Sequence, residues 1–179
     1  MHYDVRTMTS IADSIITILA PLADPERAAP MRAYMKQQFD YLGIATPARR
    51  AAVTPLLRSL KGMGSEDLLS SARTLWLLPQ REYQYAALDL LAQHWKDLDL
   101  EHVDALLALV QQKSWWDTVD GLASIIGDIL RVGHAADPGC QRRMDLALAD
   151  GHLWVRRVAM LHQNGWRGDT DTTRLFAYA

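Results

Sequence analysis

The sequence predicts an all-α fold on three observations. Apolar residues recur three and four positions apart through most of the chain, the period of one helical face. Short capping side chains, prolines and acids mark the starts of these runs, and glycines or prolines mark their ends. No segment shows sustained alternation of apolar and polar residues between hairpin turns, so strands are not expected.

The elements follow in order. The apolar stretch from Ile11 to Leu22 is interrupted by Asp13, Ser14 and Thr17, which makes it too short to span a bilayer, a task that needs about 20 apolar residues. It also lacks the basic start and small-residue cleavage site of a secretory signal. Asp24-Pro25 and Thr46-Pro47 each read as a capping side chain followed by proline at the first helical position, where its missing N–H costs nothing. Ser65 precedes Glu66 and Asp67, acids suited to the positive end of a helix dipole. The runs Leu68, Ala72, Leu75 and Trp76, then Ala87, Leu90, Leu91 and Trp95, then Val103, Leu106, Leu107 and Val110 each form one apolar face. In Lys113 to Asp120, Ser114 and Asp117 have the spacing of a capping box, which would put Trp116 and Asp120 four apart on one face. Leu153, Trp154, Val158 and Leu161 form a last apolar stripe with Arg157 at its edge.

Gly43, Gly62 with Gly64, Pro79, Gly133, Pro138 with Gly139, Gly151, and Gly165 with Gly168 divide the chain into helix-length segments. Short links return each helix alongside its predecessor. The resulting pairs are about 35 to 40 residues long, near the period of HEAT and armadillo repeats. Internal sequence similarity is weak, so the repeat rests on spacing, and a compact bundle is the competing architecture. At 179 residues with 49% hydrophobic and 22% charged, the chain is expected to form one domain, residues 1–179, with a sizeable core.

Lysine and arginine number 19 against 21 acids, a net charge of −2, so polyanion binding has to come from a local basic face. Cys140 is the single cysteine, which excludes an internal disulfide framework. His94, His102, His134, His152 and His162 lack metal-binding spacing, and Gly121, Gly127 and Gly133 are too far apart for a phosphate loop. No metal or other cofactor is expected. The chain reads as soluble and cytoplasmic, with no membrane association.

The functional signal lies in three segments. Trp116 beside Asp120 joins an aromatic face to a carboxylate, an environment that can hold a planar cation and set a negative charge next to it. With Tyr34-Met35-Lys36, Phe39, Leu42-Gly43-Ile44, Thr46-Pro47, Arg49-Arg50, Leu75-Trp76, Arg81-Glu82, Gln84, Ala86 to Asp89, the run Lys113 to Asp120, Gly127-Asp128, and Trp154 with Arg157, the chain resembles the DNA alkylation repair glycosylases built from HEAT-like repeats. The resemblance runs from about residue 28 to residue 176, and Lys-Ser-Trp-Trp-Asp-Thr-Val-Asp is its most specific part.

The resemblance implies excision of N3- and N7-alkylated purines from double-stranded DNA, without a metal and without flipping the base into a pocket. It implies that Asp120 takes the catalytic aspartate position and Trp116 that of the neighbouring aromatic. Arg157 falls on the family's site arginine, Tyr34 on a tyrosine of the same cleft, and Thr46 and Arg50 on positions that hold the DNA backbone. The residue types suit this chemistry, because an alkylated purine leaves as a neutral base and a carboxylate stabilises the oxocarbenium-like sugar left behind. Family chains continue for several helices beyond the point corresponding to Ala179, so the chain is expected to be C-terminally shortened, and a monomer. Tyr34, Trp116, Asp120 and Arg157 are expected to converge on one concave face, with Arg49, Arg50, Lys113, Arg156 and Arg157 collecting there. The alternatives are a HEAT-like module that binds DNA without catalysis and a protein-interaction repeat with no DNA role.

Overall fold

The structure, a computed structural model, describes residues 10–179. Those residues form helices α1 (Ile11–Leu19), α2 (Pro25–Tyr34), α3 (Thr46–Ser59), α4 (Ser65–Leu77), α5 (Arg81–Gln93), α6 (Val103–Val110), α7 (Trp116–Gly133), α8 (Arg142–Leu148), α9 (Leu153–Leu161) and α10 (Thr172–Tyr178). No strand occurs among the described residues; a single isolated bridge joins Asp40 to Gln80.

The helices pack as two layers. In one, α3, α5, α7 and α9 lie side by side in chain order, and in the other α1, α4 and α6 do the same. Each inner helix pairs with an outer one, α1 with α3, α4 with α5, α6 with α7 and α8 with α9. The inner helices begin at residues 46, 81, 116 and 153, so the repeat expected from spacing is present in the packing. Between the layers one apolar core runs without a break from Ala12 to Trp166.

Two glycines set close approaches. Gly43 adopts φ +91°, and a Cβ there would lie 1.9 Å from the Asp24 carbonyl oxygen, so the chain entering α3 runs against the start of α2. A Cβ at Gly127 would lie 1.8 Å from the His162 carbonyl oxygen, which lets the end of α9 seat directly on α7. Glu82, with no solvent exposure, accepts hydrogen bonds from the amides of Leu42, Gly43 and Ile44 at 2.9, 2.8 and 3.0 Å. These amides have no helical partner before α3 begins, and the buried carboxylate satisfies them.

Two capping expectations are corrected. Asp24 does cap α2, accepting from the amides of Glu26 and Arg27. Thr46 does not cap α3: Ala45 holds that position with no side-chain bond, and Thr46 is already the first helical residue. The Ser114–Asp117 capping box is also absent. Trp115 is the N-cap of α7, and the Ser114 hydroxyl instead donates back to the Val110 carbonyl, closing the end of α6.

Candidate functional site

The inner face of α3, α5 and α7, walled on one side by α2, forms an open cleft of about 640 Å³. Pro30, Met31 and Tyr34 line it from α2, Thr46, Arg49 and Arg50 from α3, Tyr85, Leu88, Asp89 and Ala92 from α5, and Trp116, Asp117, Gly121 and Ile125 from α7. Four of the six expected site residues, Tyr34, Thr46, Arg50 and Trp116, therefore share one cavity. Asp120 and Arg157 are not among its lining residues; they lie next to it, one turn along α7 from Trp116 and across on α9.

Trp116 links the two groups. It is 42% exposed and meets the rim residue Tyr34, 73% exposed, edge to face with ring centroids 6.5 Å apart. An exposed aromatic pair of this kind forfeits part of the gain of burial and leaves ring surface open to solvent.

Asp120 and Arg157 form a fork. Arg157 donates from Nε to one Asp120 oxygen at 2.6 Å and from a terminal nitrogen to the other at 2.8 Å. Both side chains stay accessible, at 40% and 39% exposed. The Asp120 carboxylate pushes the Arg157 guanidinium further up, because the hydrogen bond favours its charged form. The arginine expected to meet phosphate thus lies on the carboxylate.

The start of α7 is held from below. Arg81, fully buried, donates to both oxygens of Asp117, to the Lys113 carbonyl and to the Thr118 hydroxyl, with its guanidinium 3.8 Å from the centroid of Phe39. Asp117 therefore has the structural role expected of it, as partner of a buried cation instead of as a cap. Tyr85 donates to Asp117 at 2.6 Å and lies 3.2 Å from the Tyr41 hydroxyl. Burial first, then the bond to Asp117, drives the Tyr85 pKa upward, so its hydroxyl stays protonated. Burial likewise raises Tyr41.

Of the five cations expected to collect here, Arg49 and Arg50 line the cleft and Arg157 lies next to it, whereas Lys113 and Arg156 are not among its lining residues; each of the five has an internal partner. Arg49 and Arg50 share Asp89, at 3.2 Å each. Arg49 is buried beneath the Tyr85 ring, while the Arg50 side chain is 64% exposed. Lys113 caps the end of α4 by donating to the carbonyls of Leu77 and Leu78, and burial lowers its pKa. Arg156 donates to the carbonyls of Asp150 and Gly151 at 2.7 and 3.1 Å. No group of three or more potential metal ligands occurs among the described residues, and no helix among them is long and apolar enough to cross a membrane.

The residues that sequence reasoning missed are Tyr41 and Tyr85. Tyr85 stands four residues into α5, as Arg50 does in α3, Asp120 in α7 and Arg157 in α9. That shared register, one position per repeat, is the signal by which it can be found.

Residues 15–179 match the model of the DNA alkylation repair enzyme family. A solved structure titled "Predicted DNA alkylation repair enzyme from Enterococcus faecalis" is similar at a TM-score of 0.79 and 34% identity, covering 87% of this chain and 72% of that one. A search of curated proteins gives no match. With the family model covering nearly the whole chain and a structural neighbour at this identity, the chain belongs to the DNA alkylation repair enzyme family.

Proposed function

We propose that the chain is a DNA glycosylase that releases N3- and N7-alkylated purines from duplex DNA, as a monomeric HEAT-like repeat domain spanning residues 1–179 and needing no metal. The observation that carries the reading is an accessible carboxylate, Asp120, one helical turn from the exposed Trp116. The electron pair of the sugar–base bond leaves with the cationic base, which departs neutral. The sugar carbon is left positive, and Asp120 stabilises that charge and orients the water that captures it. The water oxygen bonds to the sugar carbon and its proton passes to the carboxylate or to solvent. Trp116 and Tyr34 hold the cationic nucleotide, and Thr46, Arg50 and Arg157 hold the backbone.

The test is release of 7-methylguanine from methylated duplex DNA by wild type and Asp120→Asn. Loss of a preorganised electrostatic contact is expected to cost on the order of a hundredfold in rate. Equal rates for the two proteins exclude a catalytic Asp120. A second reading is a HEAT-like module that binds DNA or a protein without catalysis, and what favours it is that Arg157 already holds both oxygens of Asp120. On that reading neither protein releases base, and a salt titration of DNA binding tells a DNA partner from a protein one.

A further inference from the structure

A carboxylate held at both oxygens by one edge of a guanidinium is poorly placed to stabilise a positive sugar. Arg157 meets each Asp120 oxygen, at 2.6 and 2.8 Å, and among the described residues no other group donates to either. A cation arriving beside this pair meets a nearly compensated charge, since the guanidinium field opposes that of the carboxylate at short range. The pair is nevertheless open. Each side chain is about two-fifths exposed, and the remaining terminal nitrogen of Arg157 has no hydrogen bond among the described residues. A phosphodiester, though tetrahedral at phosphorus, offers two non-bridging oxygens that a guanidinium edge can meet bidentately, as it meets a carboxylate.

We propose that the Arg157–Asp120 pair is a latch opened by the backbone of bound DNA: a phosphate beside the damaged nucleotide takes the guanidinium and bares the carboxylate. The inference rests on the glycosylase reading and adds a specificity to it. Hydrolysis is confined to polynucleotides, and a free alkylated nucleoside, with no phosphate to offer, meets a closed site. Exchanging one bidentate partner for another is nearly balanced by itself. The exchange is driven because a duplex already held by other groups, such as Arg50, presents its phosphate to Arg157 at high effective concentration, and that contact exists only in the open state.

Two measurements test this. The first compares 7-methyl-2′-deoxyguanosine with a duplex carrying one 7-methylguanine, using wild type, Arg157→Met and the double variant Arg157→Met with Asp120→Asn. Wild type is expected to act on the duplex and leave the nucleoside at its rate in buffer. Arg157→Met is expected to lose rate on the duplex but to gain on the nucleoside, by about two- to fivefold for a latch made of an exposed pair. The double variant is expected to lose that gain. A residue that merely anchors phosphate or supports the fold gives no gain on the nucleoside, and that result overturns the latch.

The second measurement follows the Arg157 Nε–Hε resonance of the intact wild-type protein while unmodified duplex is added. It does not depend on how well the variants fold. A shift with duplex, and none with 7-methyl-2′-deoxyguanosine, is expected. A resonance unmoved by saturating duplex overturns the latch whatever the activity. Wild type that releases no base while duplex still moves the resonance overturns the glycosylase reading and leaves the opening itself standing.

Discussion

Asp117 and Asp120 lie three residues apart on α7, and their environments give them opposite roles. Asp117 is 8% exposed and neutralises Arg81, which is fully buried. Asparagine at 117 leaves that guanidinium uncompensated, and breaking a buried pair from one side costs about 3–5 kcal/mol. Asp120 and Arg157 are solvated, and an exposed pair contributes only about 0–1 kcal/mol. Thermal denaturation of Asp117→Asn and Asp120→Asn is therefore expected to show a large drop in melting temperature for the first and almost none for the second. A comparable drop in both assigns Asp120 to the scaffold. The sequence made this division only half legible. Asp120 could be singled out from its spacing to Trp116, but the partner that defines Asp117 is Arg81, 36 residues away. Arg157 was legible as a site residue and not as the partner of Asp120, because a pairing across two helices leaves no mark in local spacing.

Helix existence was readable throughout, since it depends on the three-and-four spacing of residues such as Leu68, Ala72 and Leu75, all buried in the core. Helix starts were less so. Thr46 and Ser114 carry capping hydroxyls, but the N-cap falls one residue before Thr46, at Ala45, and one after Ser114, at Trp115, and neither makes a side-chain capping bond. Both Trp76, whose indole donates to the Gln112 carbonyl, and Gln84, whose amide donates to the carbonyls at the end of α4, do work that sequence-local capping rules do not describe. The close approach of α9 to α7 makes a sharper prediction. A methyl at Gly127 would lie 1.8 Å from the His162 carbonyl oxygen, which is backbone and cannot rotate away, whereas at Gly121 it meets the Leu88 methyl groups at 3.2 and 3.3 Å. Overpacking typically costs about 1–3 kcal/mol, and Gly127→Ala is expected at or above the upper end while Gly121→Ala is nearly neutral. Because α7 carries Asp120 and α9 carries Arg157, Gly127→Ala should also disturb that pair. Urea denaturation of both variants checks the order, and equal midpoints would show that α7 and α9 separate without cost.

Across the whole molecule, a net charge of −2 has to coexist with a face that meets DNA. The cleft and the pair beside it hold Arg49, Arg50 and Arg157 against Asp89, Asp117 and Asp120, three charges of each sign, so contact with phosphate depends on which cations are free to move and not on a net positive field. Position separates these cations into those that build the cleft and those that can leave their partners for a phosphate. Arg49 and Arg50 are adjacent in sequence and share Asp89, yet the Arg49 side chain is 4% exposed and Arg50 64%. Each phosphate contact releases condensed counterions, so the logarithm of affinity falls with the logarithm of salt in proportion to the contacts made. Arg50→Gln is expected to reduce that slope by about one, with uniform weakening across DNA sequences, and to leave the melting temperature unchanged. Arg49→Gln strips Asp89 of its buried partner and the Tyr85 ring of its cation, so it should lower the melting temperature and leave the slope nearly intact. Fluorescence anisotropy of a labelled duplex between low and moderate salt measures both slopes. If the two variants change the slope equally, the charge of the cleft acts as a pool and side-chain exposure does not decide which arginine meets the DNA.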